Sequence, residues 1–157
     1  MTERIVVLGG GTGGTLAANR LRRELGDRVD VVVVDRDVDH VYQPGLLFLP
    51  FGLADRDDLV RSRPRQLRAG IGYRDAGVDR VDVEHDRVVL EDGAVLPYDM
   101  LVVATGARLL PEETEGLTGP GAAHTFYDLD DRGILEIRVS VSEPVQHRKI
   151  RVDVPAE

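Results

Sequence analysis

The chain has 157 residues, of which 42% are hydrophobic, 31% charged and 4% aromatic, and this composition excludes collagen-like, wholly disordered and integral-membrane classes. Its formal net charge of −8 argues against a general nucleic-acid binder, because such proteins are ordinarily basic. Since the sequence contains no cysteine, disulfides, thiolate-ligated metals and thiol catalysis are excluded within this chain.

The first part of the chain has the pattern of a strand, a glycine loop, a helix and a second strand. A β-branched run over residues 5–8 predicts the first strand, and a helical pattern over 15–25 ends at Gly26. The valine run 29–34 is apolar on both faces, which is typical of a central strand in a parallel sheet. This succession predicts a βαβ unit with a right-handed crossover.

Two less regular segments follow. Residues 39–52 are loop-like but apolar, and their two prolines and two glycines disfavour a long helix or a central strand. Because such a segment is unfavourable in water, we expect it to line a pocket or to lie beneath one. Residues 55–67 predict a short helix that is interrupted near Pro64.

The middle of the chain predicts a third strand, a small antiparallel meander and a further buried strand. The third strand covers residues 71–75, and the further strand covers 100–103. Asp92 and Gly93 form a strong hairpin signal between two of the meander strands. The predicted meander strands cover residues 78–83, 87–90 and 94–96.

The last part of the chain is more polar. Residues 111–121 have the composition of a surface loop, and the alternating residues 133–141 predict a strand with one apolar face. The expected fold class is therefore α/β: a Rossmann-like parallel sheet with a small antiparallel β-meander, plus a C-terminal β-strand and an extended tail. We expect a dinucleotide-binding domain over residues 1–130 and a strand with an extended tail over 131–157.

The glycine loop is the strongest functional signal. Gly9, Gly11 and Gly14 form the pattern G-x-G-x-x-G between a predicted strand and a predicted helix. The first glycine allows a tight turn, the second lets a pyrophosphate approach the backbone, and the third lets helix and strand pack closely. The helix N-terminus, at Thr12 and Gly13, offers N–H groups and the positive end of the helix dipole to the phosphates.

Asp35 follows the second strand, where a carboxylate accepts hydrogen bonds from both hydroxyls of an adenosine ribose. Its charge would repel a 2′-phosphate, so the pattern disfavours NADP, and the neighbouring Arg36 weakens that exclusion. The alternative interpretation is a structural glycine turn, with Asp35 as an ordinary residue at a strand end.

Three further segments resemble the two-dinucleotide-binding flavoproteins, in particular sulfide:quinone oxidoreductases and type II NADH dehydrogenases. A strand ending in Ala-Thr-Gly resembles the second "ATG" motif of that family, which lies beside the pyrophosphate. An Asp-Ala-Gly-Val stretch resembles the segment that contacts adenine, and a Gln-Pro pair in an apolar loop resembles the flavin-side loop. The positions that the resemblance assigns to the cofactor are Gln43, Pro44, Val78, Ala104, Thr105 and Gly106.

This resemblance covers about residues 2–130 and implies FAD as the cofactor. It also implies a parent reaction in which electrons pass from sulfide or NADH through FAD to quinone. The relatives continue into a second nucleotide domain, whereas this chain has no second glycine fingerprint and no redox cysteines. We find no candidate catalytic acid, base or nucleophile and no metal site, and we expect an FAD-binding module with weak or absent turnover by itself.

The tail, about residues 128–155, resembles the C-terminal end of small heat-shock proteins, in which a strand precedes an I-x-I/V motif that docks on a neighbouring subunit. Ile150 and Val152 would then hold a homo-oligomer together. A gene fusion or truncation at about residues 128–133 would explain the join. The alternative is that this strand adds an edge to the Rossmann sheet or to the meander.

Two other functions stay open at this point. The first is a non-enzymatic nucleotide-binding domain that uses ADP or NAD, and the second is a chaperone-like or oligomerising protein. The expected partners are FAD, with quinone or NADH in a full-length relative, and no nucleic acid. No long apolar run follows a basic N-terminal head, so we expect no signal peptide and no transmembrane helix. The predicted location is the cytoplasm, including the inner face of the membrane.

Overall fold

The computed structural model of this chain describes residues 2–115, residue 129 and the short segments 136–139 and 148–151. Its internal contacts divide the chain into two units. The first unit contains Met1–His40 and Arg61–Arg108, and the second contains Val41–Val60 and Leu109–Glu157.

The first unit opens with the predicted βαβ unit. Strand β1 covers Glu3–Leu8, helix α1 covers Thr12–Leu25 and strand β2 covers Val29–Asp35. The helix begins at Thr12 rather than at residue 15, because the low helix propensity of the glycines in its first turn concealed this turn from the sequence pattern. It ends at Gly26, which has a positive φ of 58° and donates its N–H to the Arg22 carbonyl.

The remaining elements of the described residues are short. Apart from a 3₁₀ turn at Gly26–Arg28, they are β3 (Asp39–Val41), a 3₁₀-helix (Gln43–Phe51), α2 (Arg56–Leu59), β4 (Val60–Ser62), α3 (Arg63–Gln66), β5 (Ile71–Asp75), β6 (Val78–Asp82), β7 (Arg87–Leu90), β8 (Val95–Pro97), β9 (Met100–Val103), a 3₁₀ turn (Pro111–Glu113), β10 (Glu136–Val139) and β11 (Arg148–Arg151). Within the part of the chain that the structure describes, no helix has the length and apolar character needed to cross a membrane.

Four strands of the first unit form a parallel sheet in the order β5-β2-β1-β9. Because parallel strands run the same way, their carboxyl ends meet at one edge of the sheet. At that edge the Gly9 N–H donates to the Val34 carbonyl and the Ala104 N–H donates to the Leu8 carbonyl, each at 2.8 Å. This sheet confirms the predicted Rossmann-like fold class.

The two central strands, β1 and β2, are buried on both faces, as their runs of β-branched residues require, since successive strand residues face opposite sides. The face toward α1 carries Ile5, Val7, Val29, Val31 and Val33, and the helix contributes Ala18. The face toward the meander carries Val6, Leu8 and Val34, which pack with Val88, Leu90 and Tyr98. Each valine, leucine or isoleucine side chain among them stabilises the fold by about 1.5–3 kcal/mol when fully buried. The loops at the carboxyl edge therefore follow strands that are fixed by a packed core.

The predicted meander is present as a three-stranded antiparallel sheet in the order β6-β7-β8. Its second hairpin turns at the predicted glycine: Gly93 has a φ of +83°, and the Leu90 N–H donates to the Ala94 carbonyl at 2.9 Å. The first turn contains Asp86, the only described residue other than glycine with a positive φ.

Asp82, at the end of β6, supports a prediction about acid pH. Its carboxylate accepts hydrogen bonds from His85 Nδ1 at 2.9 Å and from Arg87 Nε at 2.8 Å. These bonds lower the pKa of Asp82 from 3.8 to about 2, and the bond from His85 has the larger effect. Because the folded pKa lies below the unfolded one, the stabilisation is present above pH 3.8 and is lost as the pH falls toward 2.

We expect a carboxyl-carbon NMR titration to place the Asp82 pKa near 2, and His85→Ala to move it back toward 3.8. Asp92 is the internal control, because Ala94 and Arg74 lower the pKa of its carboxyl without any contribution from His85. An Asp82 pKa that does not move in His85→Ala would show that the hydrogen bond from His85 is not the cause.

The second unit contains a 3₁₀-helix, Gln43–Phe51, where the sequence predicted a loop. Pro44 lies in its first turn, where the fixed φ of proline is compatible with a helix, and Gly52 ends it in the left-handed conformation. Gly45 lies directly against the side chain of Leu59, since a Cβ on Gly45 would come within 2.2 Å of Leu59 Cδ2. Proline and glycine thus permit this short helix, although both disfavour a long one.

The predicted helix over residues 55–67 is divided. Two one-turn helices, α2 and α3, flank strand β4, and β4 forms a two-stranded sheet with β3. Asp55 and Asp58 form a reciprocal capping box at the start of α2. Pro64 lies in the first turn of α3, so it starts a helix there rather than interrupting one.

Only parts of the predicted tail are described. Strands β10 and β11 pair with each other in antiparallel fashion, with Ile137 opposite Ile150, and form a sheet of their own. For the described residues 136–139, the alternative that this strand adds an edge to the Rossmann sheet or the meander is therefore wrong. Val152, the predicted boundary at 130 and most of the predicted loop 111–121 lie outside the described residues.

Candidate functional site

The loop between β1 and α1 has the backbone geometry that its glycine pattern predicts. Gly9 has a φ of +95°, and a Cβ there would lie 2.3 Å from the carbonyl oxygen of Ala104. Gly14 lies against the loop itself, because its Cβ would come within 1.8 Å of the Gly9 carbonyl oxygen. Both glycines are therefore required by packing, the first for the turn and the last for the close approach of the helix.

Gly11 is different, because packing does not require it. A Cβ on Gly11 would meet no heavy atom within 4 Å, and its φ of −69° is accessible to any residue. Gly11 is the N-cap of α1, and no side chain caps the helix there. An added Cβ at Gly11 would therefore point into open space at the N-terminus of α1, the positive end of the helix dipole.

The Asp35 carboxylate is turned toward this loop. Its Oδ2 accepts a hydrogen bond from the Gly10 N–H at 2.6 Å, and its Oδ1 accepts one from the Asp37 N–H at 2.9 Å. The neighbouring Arg36 is exposed and lies 3.9 Å from Glu91. Asp35 is therefore fixed beside the glycine loop, whereas Arg36 belongs to the solvated surface.

Sequence reasoning missed Arg63, which the structure places at this site. Its Nε donates to the Gly10 carbonyl at 3.1 Å, and its Nη1 lies 3.3 Å from Asp35 Oδ1 and donates to the Asp37 carbonyl. Only 11% of its side chain is exposed. No signal in the sequence distinguishes Arg63 from the nearby Arg65, because the contacts of Arg63 join residues far apart in the chain.

Two further side chains contact the elements next to the loop. The Tyr73 hydroxyl donates to the Asp37 carbonyl at 2.6 Å. The pKa of Tyr73 is raised, mainly by burial and to a smaller extent by the negative charge of Asp35. His40 bridges the start of α1 and α3, with its Nε2 3.3 Å from Thr12 Oγ1 and its Nδ1 3.2 Å from Gln66 Oε1. These contacts hold the β2–β3 connection and the first helical turn in place.

The other predicted cofactor residues are distributed between the two units. Val78 begins β6 and is half-buried against the meander face of the sheet. The segment of Ala104, Thr105 and Gly106 directly follows β9, and its first residue contacts Gly9 as described above. Gln43 and Pro44 open the 3₁₀-helix of the second unit, where the predicted flavin contacts stay a prediction.

Comparison with known proteins identifies the family. The family model for pyridine nucleotide-disulphide oxidoreductases matches residues 3–140 of this chain. The chain belongs to the pyridine nucleotide-disulphide oxidoreductase family. The resemblance predicted from the glycine loop and the Ala-Thr-Gly strand end is thereby confirmed, and the family is one of FAD-binding flavoproteins, as predicted.

The relatives include both of the predicted enzyme types. The chain is 31% identical over 114 residues to the mitochondrial sulfide:quinone oxidoreductase of Dictyostelium discoideum. The aligned residues make up 73% of this chain and 25% of that protein. It is 30% identical over 115 residues to the type II NADH:quinone oxidoreductase NdhA of Mycobacterium tuberculosis, which covers 68% and 23%. The chain thus spans about a quarter of the length of these curated relatives.

Solved structures show the same fold. The sulfide:quinone oxidoreductase of Aquifex aeolicus matches with a TM-score of 0.62 at 25% identity, over 69% of this chain and 25% of that chain. The predicted likeness of the tail to small heat-shock proteins finds no support among these matches. The family model instead continues into the predicted tail, to residue 140.

Proposed function

We propose that this chain is the FAD-binding module of a flavin-dependent oxidoreductase of the sulfide:quinone or NADH:quinone type. The observation that supports this function best is that the loop glycines differ in the space around them. At Gly9 and Gly14, neighbouring backbone occupies the space that a Cβ would need, whereas Gly11 faces open space at the N-terminus of α1. A loop that served only as a structural turn has no need of this open, uncapped helix end.

The FAD pyrophosphate is expected above Gly11. The backbone N–H groups at Thr12 and Gly13 are the donors there, and the dipole of the 14-residue helix favours negative charge at the same end. The small residues after β9, Ala104 to Gly106, border the loop where Ala104 meets Gly9, so no bulky side chain occupies this border.

The adenosine part of FAD is expected beside Asp35. The Gly10 N–H, the Asp37 N–H and Arg63 occupy three of the roughly four acceptor sites of this carboxylate, and the remaining site, on Oδ2, is available to a ribose hydroxyl. Val78 is the proposed contact to the adenine ring, through its position at the start of β6. These groups bind and orient the cofactor, and the bound flavin supplies the redox chemistry.

Gln43 and Pro44 are the proposed contacts to the isoalloxazine. They open a 3₁₀-helix whose Phe48 and Phe51 side chains are exposed in the structure, which is consistent with a surface that an aromatic ring covers. NADH and quinone are the proposed partners of the complete enzyme. Because quinones dissolve in the bilayer, we also propose that this enzyme works peripherally, at the inner face of the membrane. Homo-oligomerisation through Ile150 and Val152 stays a prediction.

Calorimetric titration of the apoprotein with FAD, NAD and ADP tests the proposed function. We expect saturable FAD binding that is tighter than the binding of ADP, because ADP lacks the isoalloxazine for which we propose Gln43 and Pro44 as contacts. Equal affinity for all three ligands would favour the non-enzymatic nucleotide-binding alternative. If FAD shows no saturable binding at high micromolar concentration, the proposal is wrong.

A further inference from the structure

We propose that Arg63 is a positioning residue of the nucleotide site that also sets its tolerance for charge at the ribose. This inference rests on the proposed function. It goes beyond that function, because no glycine or carboxylate of the dinucleotide pattern implies an arginine at this place.

The contacts of Arg63 converge on the two elements that form the site. Its guanidinium donates to the Gly10 carbonyl in the glycine loop and to the Asp37 carbonyl in the β2–β3 connection, and it pairs with the Asp35 carboxylate. Its own backbone N–H donates to the Val38 carbonyl at 2.8 Å. A single residue therefore ties the end of β2 to the loop that receives the pyrophosphate.

The planar guanidinium is suited to this arrangement. Five N–H donors in a fixed fork can serve three acceptors at once, whereas the ammonium group of a lysine is a compact, mobile point charge. The stem of Arg63 also covers Gly10, since a Cβ on Gly10 would lie 2.8 Å from Arg63 Cδ. With little of its side chain exposed, Arg63 is part of the wall of the site.

The charge of Arg63 has a second consequence. Asp35 alone would present a full negative charge to the 2′-position of the ribose, and Asp37 Oδ2 lies 4.0 Å from the same guanidinium. Arg63 offsets part of this charge without contacting the Gly10 N–H that holds Asp35 Oδ2. Removal of Arg63 should therefore lower the affinity for all adenine nucleotides, and most of all for those that carry a 2′-phosphate.

The test compares Arg63→Met and Arg63→Lys with the native chain by calorimetry, using ADP and adenosine 2′,5′-bisphosphate as probes. Arg65→Met is the matched control, because Arg65 is an exposed residue of the same short helix and its substitution changes the net charge equally. We expect Arg63→Met to weaken ADP by about tenfold or more, as for loss of a charged hydrogen bond. We expect the 2′-phosphorylated probe to be weakened further, so that the ratio of the two dissociation constants rises.

Arg63→Lys separates charge from geometry. It should restore the native ratio of the two dissociation constants but not the full affinity for ADP. Native ADP affinity and a native ratio in Arg63→Met would overturn the inference. An equal loss for both probes would also overturn it, since this pattern indicates only general structural damage, which thermal unfolding would report. If the native chain binds neither FAD nor ADP, the proposed function itself fails.

Discussion

Gly14→Ala is expected to destabilise the first unit strongly, although it adds only one methyl group to the glycine loop. The added Cβ would lie 1.8 Å from the carbonyl oxygen of Gly9 and 3.4 Å from Val7. The obstacle is backbone rather than a flexible side chain, so helix α1 must move away from the loop to make room. We expect a cost of about 3 kcal/mol, at the upper end of the range for overpacked sites.

Thermal unfolding followed by circular dichroism measures this cost. For a chain of this size, about 3 kcal/mol corresponds to a fall in Tm of roughly 6–12 °C. Gly13→Ala is the matched control, because Gly13 lies in the same helical turn and its Cβ would meet nothing within 4 Å. This control should be neutral or slightly stabilising, since alanine is the better helix former. A Tm in Gly14→Ala equal to that of the control would contradict the packing argument.

Gly11→Val should have the opposite profile, a small effect on stability and a large one on binding. The φ of Gly11 suits valine, and no neighbour lies within 4 Å of an added Cβ, so the fold can accept the side chain. Loss of a favourable N-cap residue should cost no more than about 1 kcal/mol. The isopropyl group would, however, occupy the space that we assign to the pyrophosphate. We expect the affinity for FAD to fall by about a hundredfold or more.

The comparison with Gly14→Ala makes this second result informative. Calorimetric titration with FAD measures the affinity, and the Tm of the same sample shows whether the fold is intact. A Gly11→Val protein that keeps native FAD affinity would show that the cofactor does not approach the loop at Gly11. A large fall in Tm would show instead that the open space above Gly11 is closed in solution.

Local sequence patterns were sufficient for the elements whose stability comes from burial or from backbone conformation. The valine-rich β1 and β2 have both faces buried, and a run that is apolar on both faces fits only a covered parallel strand. The hairpin at Gly93 was equally predictable, because its φ of +83° favours glycine. The 3₁₀-helix at Gln43–Phe51 was missed, since proline and glycine end long helices but are accepted in short ones.

By itself, the sequence determined the βαβ unit, the glycine loop and the position of Asp35 at the end of the second strand, because each depends on residues close together in the chain or on a periodic pattern. Only the tertiary structure decided which loop glycines have room for a side chain, that Arg63 and His40 contact the loop and the first turn of α1, and that Tyr73 contacts the β2–β3 connection. These contacts join residues that are far apart in sequence. An arginine that pairs with a carboxylate on another element has the same local sequence signal as one that faces water.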